Sequence, residues 1–425
     1  MAKKMLFLFV LLLSLTGMLK AQVTTAGMSG KVMADEESVI GATVVAVHEP
    51  SGTSYGTVTN IDGRFSLQGM RSGGPYKVTV SYVGYQTAIY TGIQLQLGET
   101  YSLNVTLHEA SELLGEITIT ASKSKFSAEK TGATTNISSE QLTTLPSINR
   151  SISDFTRISP YASGNNFGGR DGRSNTFTVD GANLNNNFGL SSNLPGGGNP
   201  ISLDAIDEVQ VVIAPYDVRQ ANFIGAGINA ITKSGTNAYR GSAYMYFNNE
   251  VMRGNKIGNT DFGARAEESK TVYGATLGGP IIKDKLFFFA NVEYEKSPQQ
   301  VVKWRAAQEG ETPNNSTISR ATAADMVEFS QILKDKYGYD TGSFTNFPAD
   351  ITNLKLLGRI DWNIDKGNKL SVRYNFTNNK TWNAPNGSSG NTGYRLAYDR
   401  VSQYSMSYAN SCYSLQNIVN SVTAE

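Results

Sequence analysis

Two glycine-framed motifs are the first to weigh for chemistry. "GTSYG", Gly52 to Gly56, fits the G-x-S-x-G pattern that sets a nucleophilic serine on a sharp strand-to-helix turn. Here the flanking residues read as two short strands, no helix follows, and His48 belongs to the strand before. "GAGINA", Gly225 to Ala230, fits the G-x-G-x-x-A form of a dinucleotide fingerprint, which needs a long helix opening at the glycines so that its N-terminus meets a pyrophosphate. The "ITKSGTN" that follows ends any such helix at once. With two histidines, His48 and His108, and one cysteine, Cys412, the chain is starved of residues for zinc sites, Cys/His catalysis and disulfides. Both motifs are refused. The expectation is a protein that is not an enzyme, with no catalytic residue, no metal ligand and no cofactor. A balance of 37 basic against 36 acidic residues, net +1, gives nucleic acid no electrostatic footprint either.

What remains is organisation. Lys3 and Lys4, the apolar run Met5 to Leu15 and Ala21 before Gln22 read as a secretory signal peptide over 1–21. No later segment reaches the ~18 consecutive apolar residues of a membrane helix. From Gly27 to about Leu107, short strands alternate with turn residues, which predicts a small β-sandwich; the Asp-Gly of "NIDG", Asn60 to Gly63, predicts a tight hairpin, with Phe65 and Leu67 on one face. "LLGEITITASKSK", Leu113 to Lys125, then alternates like a strand, yet is followed by Ser, Thr, Lys and Gly where a partner strand would come. "SSEQLTTLP" and "INRSISDFTRIS" predict two short helices, with Leu142 and Leu145, then Ile152, Phe155 and Ile158, at helical spacing and Pro146 and Pro160 as stops.

Beyond Tyr239 the period is two over runs of roughly 9–11 residues, the length of a tilted membrane-crossing strand. Leu354, Leu356, Ile360, Trp362 and Ile364 share one face against Lys355, Arg359, Asp361 and Asn363. Leu370, Val372, Tyr374 and Phe376 repeat this against Lys369, Ser371, Arg373 and Asn375. A soluble antiparallel sheet with one wet face has the same period. Connection lengths favour an outer-membrane barrel: short turns "PIIKDK" and "DKGN" alternate with long polar loops, Val251 to Glu268, Ser297 to Thr352 and Asn379 to about Arg400.

The strands "GATVVA", "TNIDGRFSL" and "YKVTVSYVGYQT" resemble the carboxypeptidase regulatory-like domain, which implies a prealbumin-like sandwich without catalytic apparatus. "FTVDGANLNNNFG", the run from "AIDEVQVVIAP" to "SAYMYFNNE" and "LGGPIIKDKLFFFANVEYE" resemble the plug and first barrel strands of TonB-dependent outer-membrane receptors of the Oar-like group. That resemblance implies an all-β-dominated chain: signal peptide 1–21, sandwich 27–107, coupling strand and linker 111–137, α+β plug 138–238, and 239–425 as about six strands of a transmembrane antiparallel barrel. It implies that "GEITITAS", through Glu116, Ile117, Thr118, Ile119, Thr120 and Ala121, is the strand a TonB complex grips, an extended segment without an intrachain partner that adds to another protein's sheet; the alternative is that these residues are the last strand of the sandwich, covered by its own domain. It makes Arg170, Asp171 and Arg173 of "GGRDGRSN" an apical loop facing an extracellular ligand of peptide, protein or glycan type. A solvated turn whose charges pair with the barrel wall is the alternative. The expected setting is the Gram-negative outer membrane, the sandwich in the periplasm and lipid around the barrel; the expected function is TonB-energised uptake. A TonB-independent surface-binding or adhesion protein on the same architecture is the alternative, as is carbohydrate binding by the sandwich through Tyr82 and Tyr85. Because plugged barrels have about 22 strands and the chain ends "NIVNSVTAE" without a closing aromatic residue, a fragment of a longer protein is expected.

Overall fold

The computed structural model describes residues 23–425 except 35–36, 110–116, 121–132, 148–149, 186–193, 195–198, 216, 218–219, 262–268, 299–304, 314–317, 346–348, 366, 384–405 and 407. The signal-peptide segment 1–21 lies outside the described residues.

The N-terminal strands are β1 (Ala26–Ala34), β2 (Thr43–His48), β3 (Thr53–Val58), β4 (Arg64–Met70), β5 (Gly73–Ser81), β6 (Ala88–Leu95), β7 (Thr100–Ser102), β8 (Val105–Leu107) and β9 (Ile117–Thr120). In one sheet β1 pairs antiparallel with β4 and parallel with β7 and β8; the other sheet runs β9-β6-β5-β2-β3. Alternation puts Val44, Ala46, Val78 and Val80 of the second sheet into one core with Met28, Val32, Phe65 and Leu67 of the first. At about 1.5–3 kcal/mol for each large apolar side chain buried, this core accounts for the cohesion of the sandwich. The expected hairpin at Asn60–Gly63 is corrected. Gly63 does take positive φ, +73°, and the Asn60 side chain accepts from the backbone of Asp62 and Arg64. The turn, however, carries the chain from β3 in one sheet to β4 in the other, because Phe65 and Leu67 find their apolar partners opposite β1, not beside β3.

The next region holds β10 (Thr134–Ser138), α1 (Ser139–Thr144), α2 (Ile152–Thr156), β11 (Thr176–Val179), β12 (Ile206–Val212) and β13 (Gly227–Thr232). Both helices open on capping boxes, Ser138 with Gln141 and Ser151 with Asp154, which satisfy two otherwise orphaned backbone donors each. The sheet runs β10-β12-β13-β11. Its core, Ile137, Phe155, Phe177, Val209 and Val211, is completed by Phe289 and Leu357 from the strands that follow.

Those strands, β14 (Arg240–Asn249), β15 (Ser269–Ile282), β16 (Leu286–Pro298), β17 (Asp350–Asn363), β18 (Lys369–Asn383) and β19 (Tyr413–Ala424), form one antiparallel meander in chain order. Their burial is inside out. In β17 Lys355 is 1% and Arg359 7% exposed, whereas Ile360 is 47% and Trp362 46% exposed. A soluble sheet would hide the apolar stripe; here the polar face lies against the preceding sheet and the apolar face looks outward, as in a membrane barrel. No helix among the described residues is long and apolar enough to cross a membrane. One expectation needs amending: the connection Ser297 to Thr352 is not a loop throughout but contains α3 (Ala323–Tyr337), opened by a Thr322–Asp325 capping box and closed by Gly338 in the left-handed region. Its weak apolar stripe and polar composition hid it.

Candidate coupling site

The segment from 116 to 121 does not stand alone. Ile117–Thr120 forms β9 and pairs in parallel with β6, Ile117 opposite Ala88 through Thr120 opposite Thr91. Of the two expectations, an unpartnered segment and a last strand of the sandwich, the structure has the second: the edge of β6 supplies the partner, since an exposed row of backbone donors and acceptors is a ready template. Glu116 and Ala121 lie outside the described residues. β9 occupies one edge of its sheet and β3 the opposite edge.

Immediately past β6 the chain turns through Gln96 to Glu99, and the plug holds this turn. Leu97 is fully buried, and its N–H donates to both carboxylate oxygens of Glu208 in β12, at 3.1 Å each. Its carbonyl accepts from Gln210 Nε2 at 2.5 Å and from Asn136 Nδ2 at 3.4 Å. Gly98 sits at φ +69°, and a Cβ there would come 2.9 Å from the Gln210 side chain. Burial pushes the Glu208 carboxyl up to about 8, with the Leu97 N–H pulling the other way and Asp207 and Glu99 adding to the rise.

The opposite side of the sandwich meets the rim of the meander where connections are short. Arg71 lies 3.5 Å from Asp361, the Lys369 ammonium sits 3.2 Å over the Tyr55 ring, Asn363 Nδ2 donates to Thr53 Oγ1, and Asn237 N–H donates to the Pro50 carbonyl. Short connections mark the periplasmic rim of such barrels.

Plug and barrel wall are joined by polar groups. Asp180 and Gly181, both at positive φ, make the two-residue turn between β11 and Ala182–Asn183, the type I′ geometry that Asp-Gly favours. The Asp180 carboxylate accepts from the Thr232 N–H and hydroxyl, at 3.0 and 2.6 Å. Arg359 Nη1 donates to the Thr232 carbonyl at 2.7 Å while its Nε donates to Asp361 at 2.9 Å, and Arg373 lies 3.8 Å from Asp180. Nearby, the buried pair Lys355–Glu293, 2.8 Å, is completed by the hydroxyls of Ser202 and Tyr244, which donate to the same carboxylate at 2.9 Å. Buried charges of this kind need every partner satisfied; they lie beside the apolar contacts that Phe289 and Leu357 make with the plug core. Sequence alternation isolates Lys355, Arg359, Asp361 and Glu293 on the polar faces of their strands but not the plug partners Asp180 and Thr232.

Arg170, Asp171 and Arg173 are all exposed. Asp171 caps the short turn Gly172–Ser174 and accepts from Arg173 N–H and Nε, at 2.9 and 2.8 Å, so Arg173 holds its carboxyl below the usual carboxylate range. The refused serine motif lies on β3. His48 Nδ1 instead contacts Ser51 Oγ at 2.7 Å, and Ser51 contacts Thr53; the cluster is buried, and burial with Arg71 nearby lowers His48 to about 3, a neutral structural histidine. Gly227 of the refused dinucleotide motif opens strand β13, not a helix. Tyr82 and Tyr85 pack ring against ring at 5.7 Å, Tyr85 half-buried against the core. Among the described residues, no group of three His, Cys, Asp or Glu could hold a metal.

Residues 27–108 match the carboxypeptidase regulatory-like domain, and residues 231–424 match the outer membrane beta barrel domain. The chain is 25% identical over 347 residues to the TonB-dependent transporter Oar of Myxococcus xanthus, covering 76% of this chain and 30% of that protein. It therefore spans about a third of the length of this relative. Solved structures similar to it include the siderophore receptor PirA from Acinetobacter baumannii, at 18% identity, TM-score 0.42 and coverage of 69% of this chain and 37% of that one. Another is the ferric enterobactin receptor PfeA (R480A_Q482A mutant) from Pseudomonas aeruginosa, at 15% identity, TM-score 0.41 and coverage of 69% and 38%.

Proposed function

We infer from this chain, a Gram-negative outer-membrane β-barrel protein with an N-terminal carboxypeptidase regulatory-like domain, that it serves a receptor that binds an extracellular ligand and imports it with energy supplied by TonB. The observation that carries the reading is the plug: an ordered sheet held against the barrel wall by the Asp180–Thr232–Arg359 and Glu293–Lys355 contacts, polar groups that water can replace when the plug moves. Ile117–Thr120 is the strand TonB grips, and Arg170, Asp171 and Arg173 face the ligand. Edge-strand backbone of this kind extends another protein's sheet by main-chain hydrogen bonds. No bond of the ligand need be broken, and the relation to a transporter supports a protein that is not an enzyme.

The test separates binding from import. Ile117→Pro removes a backbone donor and fixes φ. Cells expressing the whole protein are given fluorescently labelled peptides, proteins and oligosaccharides, and surface binding and internal signal are scored apart. The expected result is binding retained and uptake lost; uptake that survives the proline overturns the coupling strand, and binding without uptake in the unaltered protein favours the adhesion alternative.

A further inference from the structure

We propose that the sandwich is part of the transmission: a pull on Ile117–Thr120 reaches plug strand β12 through β6 and the Leu97 turn, ahead of the chain that links residues 121 and 133. The proposal rests on the coupling-strand reading of Ile117–Thr120. Three observations carry it. β9 is laddered to β6 over four residues in register. β6 runs without interruption into the turn at Leu97, whose N–H and carbonyl are held by Glu208 and Gln210 of β12. The contacts that fix the sandwich to the barrel rim through Thr53 and Tyr55 lie on β3, at the other edge of the sheet. Load placed on β9 therefore reaches the plug after crossing one ladder and a covalent strand. To reach the barrel it must cross one further ladder, β6 to β5, to arrive at Arg71 and its Asp361 contact, and three, β6 to β5, β5 to β2 and β2 to β3, to arrive at Thr53 and Tyr55. The direct chain, by contrast, carries load only when drawn taut, and its 13 residues from 121 to 133 can span at most about 45 Å. A domain without catalytic residues thereby acquires a mechanical task.

The test is force spectroscopy on the whole protein, held in a lipid nanodisc and pulled by a handle on Thr118→Cys in a Cys412→Ser background. With the relay intact, the plug yields at an extension well short of about 45 Å. In Glu208→Ala with Gln210→Ala the plug's peak moves outward by up to that length, while the plug's own contour length stays unchanged and reports that the variant folds. Identical peak positions in the two proteins, or a first event in the unaltered relay that releases the full length of 121–133 before the plug yields, overturn the proposal. A second set of traces uses the C-terminal domain of the host's TonB as the handle. If that domain fails to hold Ile117–Thr120, or holds an Ile117→Pro variant equally, the coupling reading fails while the covalent-handle result still decides the relay.

Discussion

The sandwich and the meander are written in the same two-residue period and turned opposite ways. In the sandwich Val44, Ala46, Val78 and Val80 are hidden. In the meander Lys355, Arg359, Asp361 and Glu293 are hidden, and Leu356, Ile360 and Trp362 stand outside. Alternation says that a strand has two unlike faces; the solvent on each side says which is buried. The same chemistry thus has opposite consequences in the two halves of one chain.

The largest effect that would break this comparison is at Lys355. Lys355→Met is conservative by the rules of a soluble core, yet it leaves Glu293 buried without its cation and should cost about 3–5 kcal/mol. Measured by urea unfolding in lipid vesicles, most of that loss should return in Lys355→Met with Glu293→Leu. A single variant as stable as the original would show that the polar face is wet and not clamped to the plug.

Next in size is a matched pair of exposed apolar residues. Leu356→Lys, in the middle of β17, should destabilise by about 2–4 kcal/mol because its side chain faces hydrocarbon. Val58→Lys on the exposed edge of the sandwich should stay within about 0.5 kcal/mol because it faces water. Equal costs at the two sites would remove the distinction between the halves.

The smallest effect lies where the halves meet. Glu208 is raised from its ordinary range to about 8 by burial under Leu97. The docked state therefore binds a proton that the undocked state gives up at lower pH, and docking weakens as pH rises from the ordinary carboxylate range to about 8, then levels off. The slope cannot exceed one proton, or tenfold in the docking equilibrium per pH unit. The groups facing Glu208 are the Leu97 N–H, the Ser72 hydroxyl, Asp207 and Glu99. Cross-linking yield between cysteines placed at Gln96 and Asn136, whose side chains meet at 3.3 Å, should fall between pH 6 and pH 8 and become flat in Glu208→Gln. A slope that persists in that variant would assign the titration elsewhere.

Much of this architecture was legible because it is local. The period of two with short and long connections alternating marks the meander, and the Ser-x-x-Gln and Ser-x-x-Asp caps sit at the two short helices where the apolar spacing puts them. Asp-Gly was legible as a turn but not as a kind of turn. At Asp180–Gly181 it closes a tight hairpin, and at Asp62–Gly63 it passes the chain between sheets, because each flanking strand goes where its apolar side chains find company. The extended character of Ile117–Thr120 was equally plain, and its pairing with β6 was not, since a parallel ladder to a strand some 30 residues earlier leaves no mark on either sequence.

Legible from the amino-acid order are which residues alternate, where turns fall, and that two histidines and one cysteine leave little material for zinc or thiol chemistry. Partnership was settled by the fold: Glu208 beneath the Leu97 turn, Arg359 on the Thr232 carbonyl, Arg71 near Asp361, and the inward choice of the charged face. The physical reason is range. Backbone propensity and alternation act over a few residues, whereas a buried carboxylate or guanidinium is tolerated only when groups distant in the chain are brought within about 3 Å, and that requirement is met by the fold as a whole.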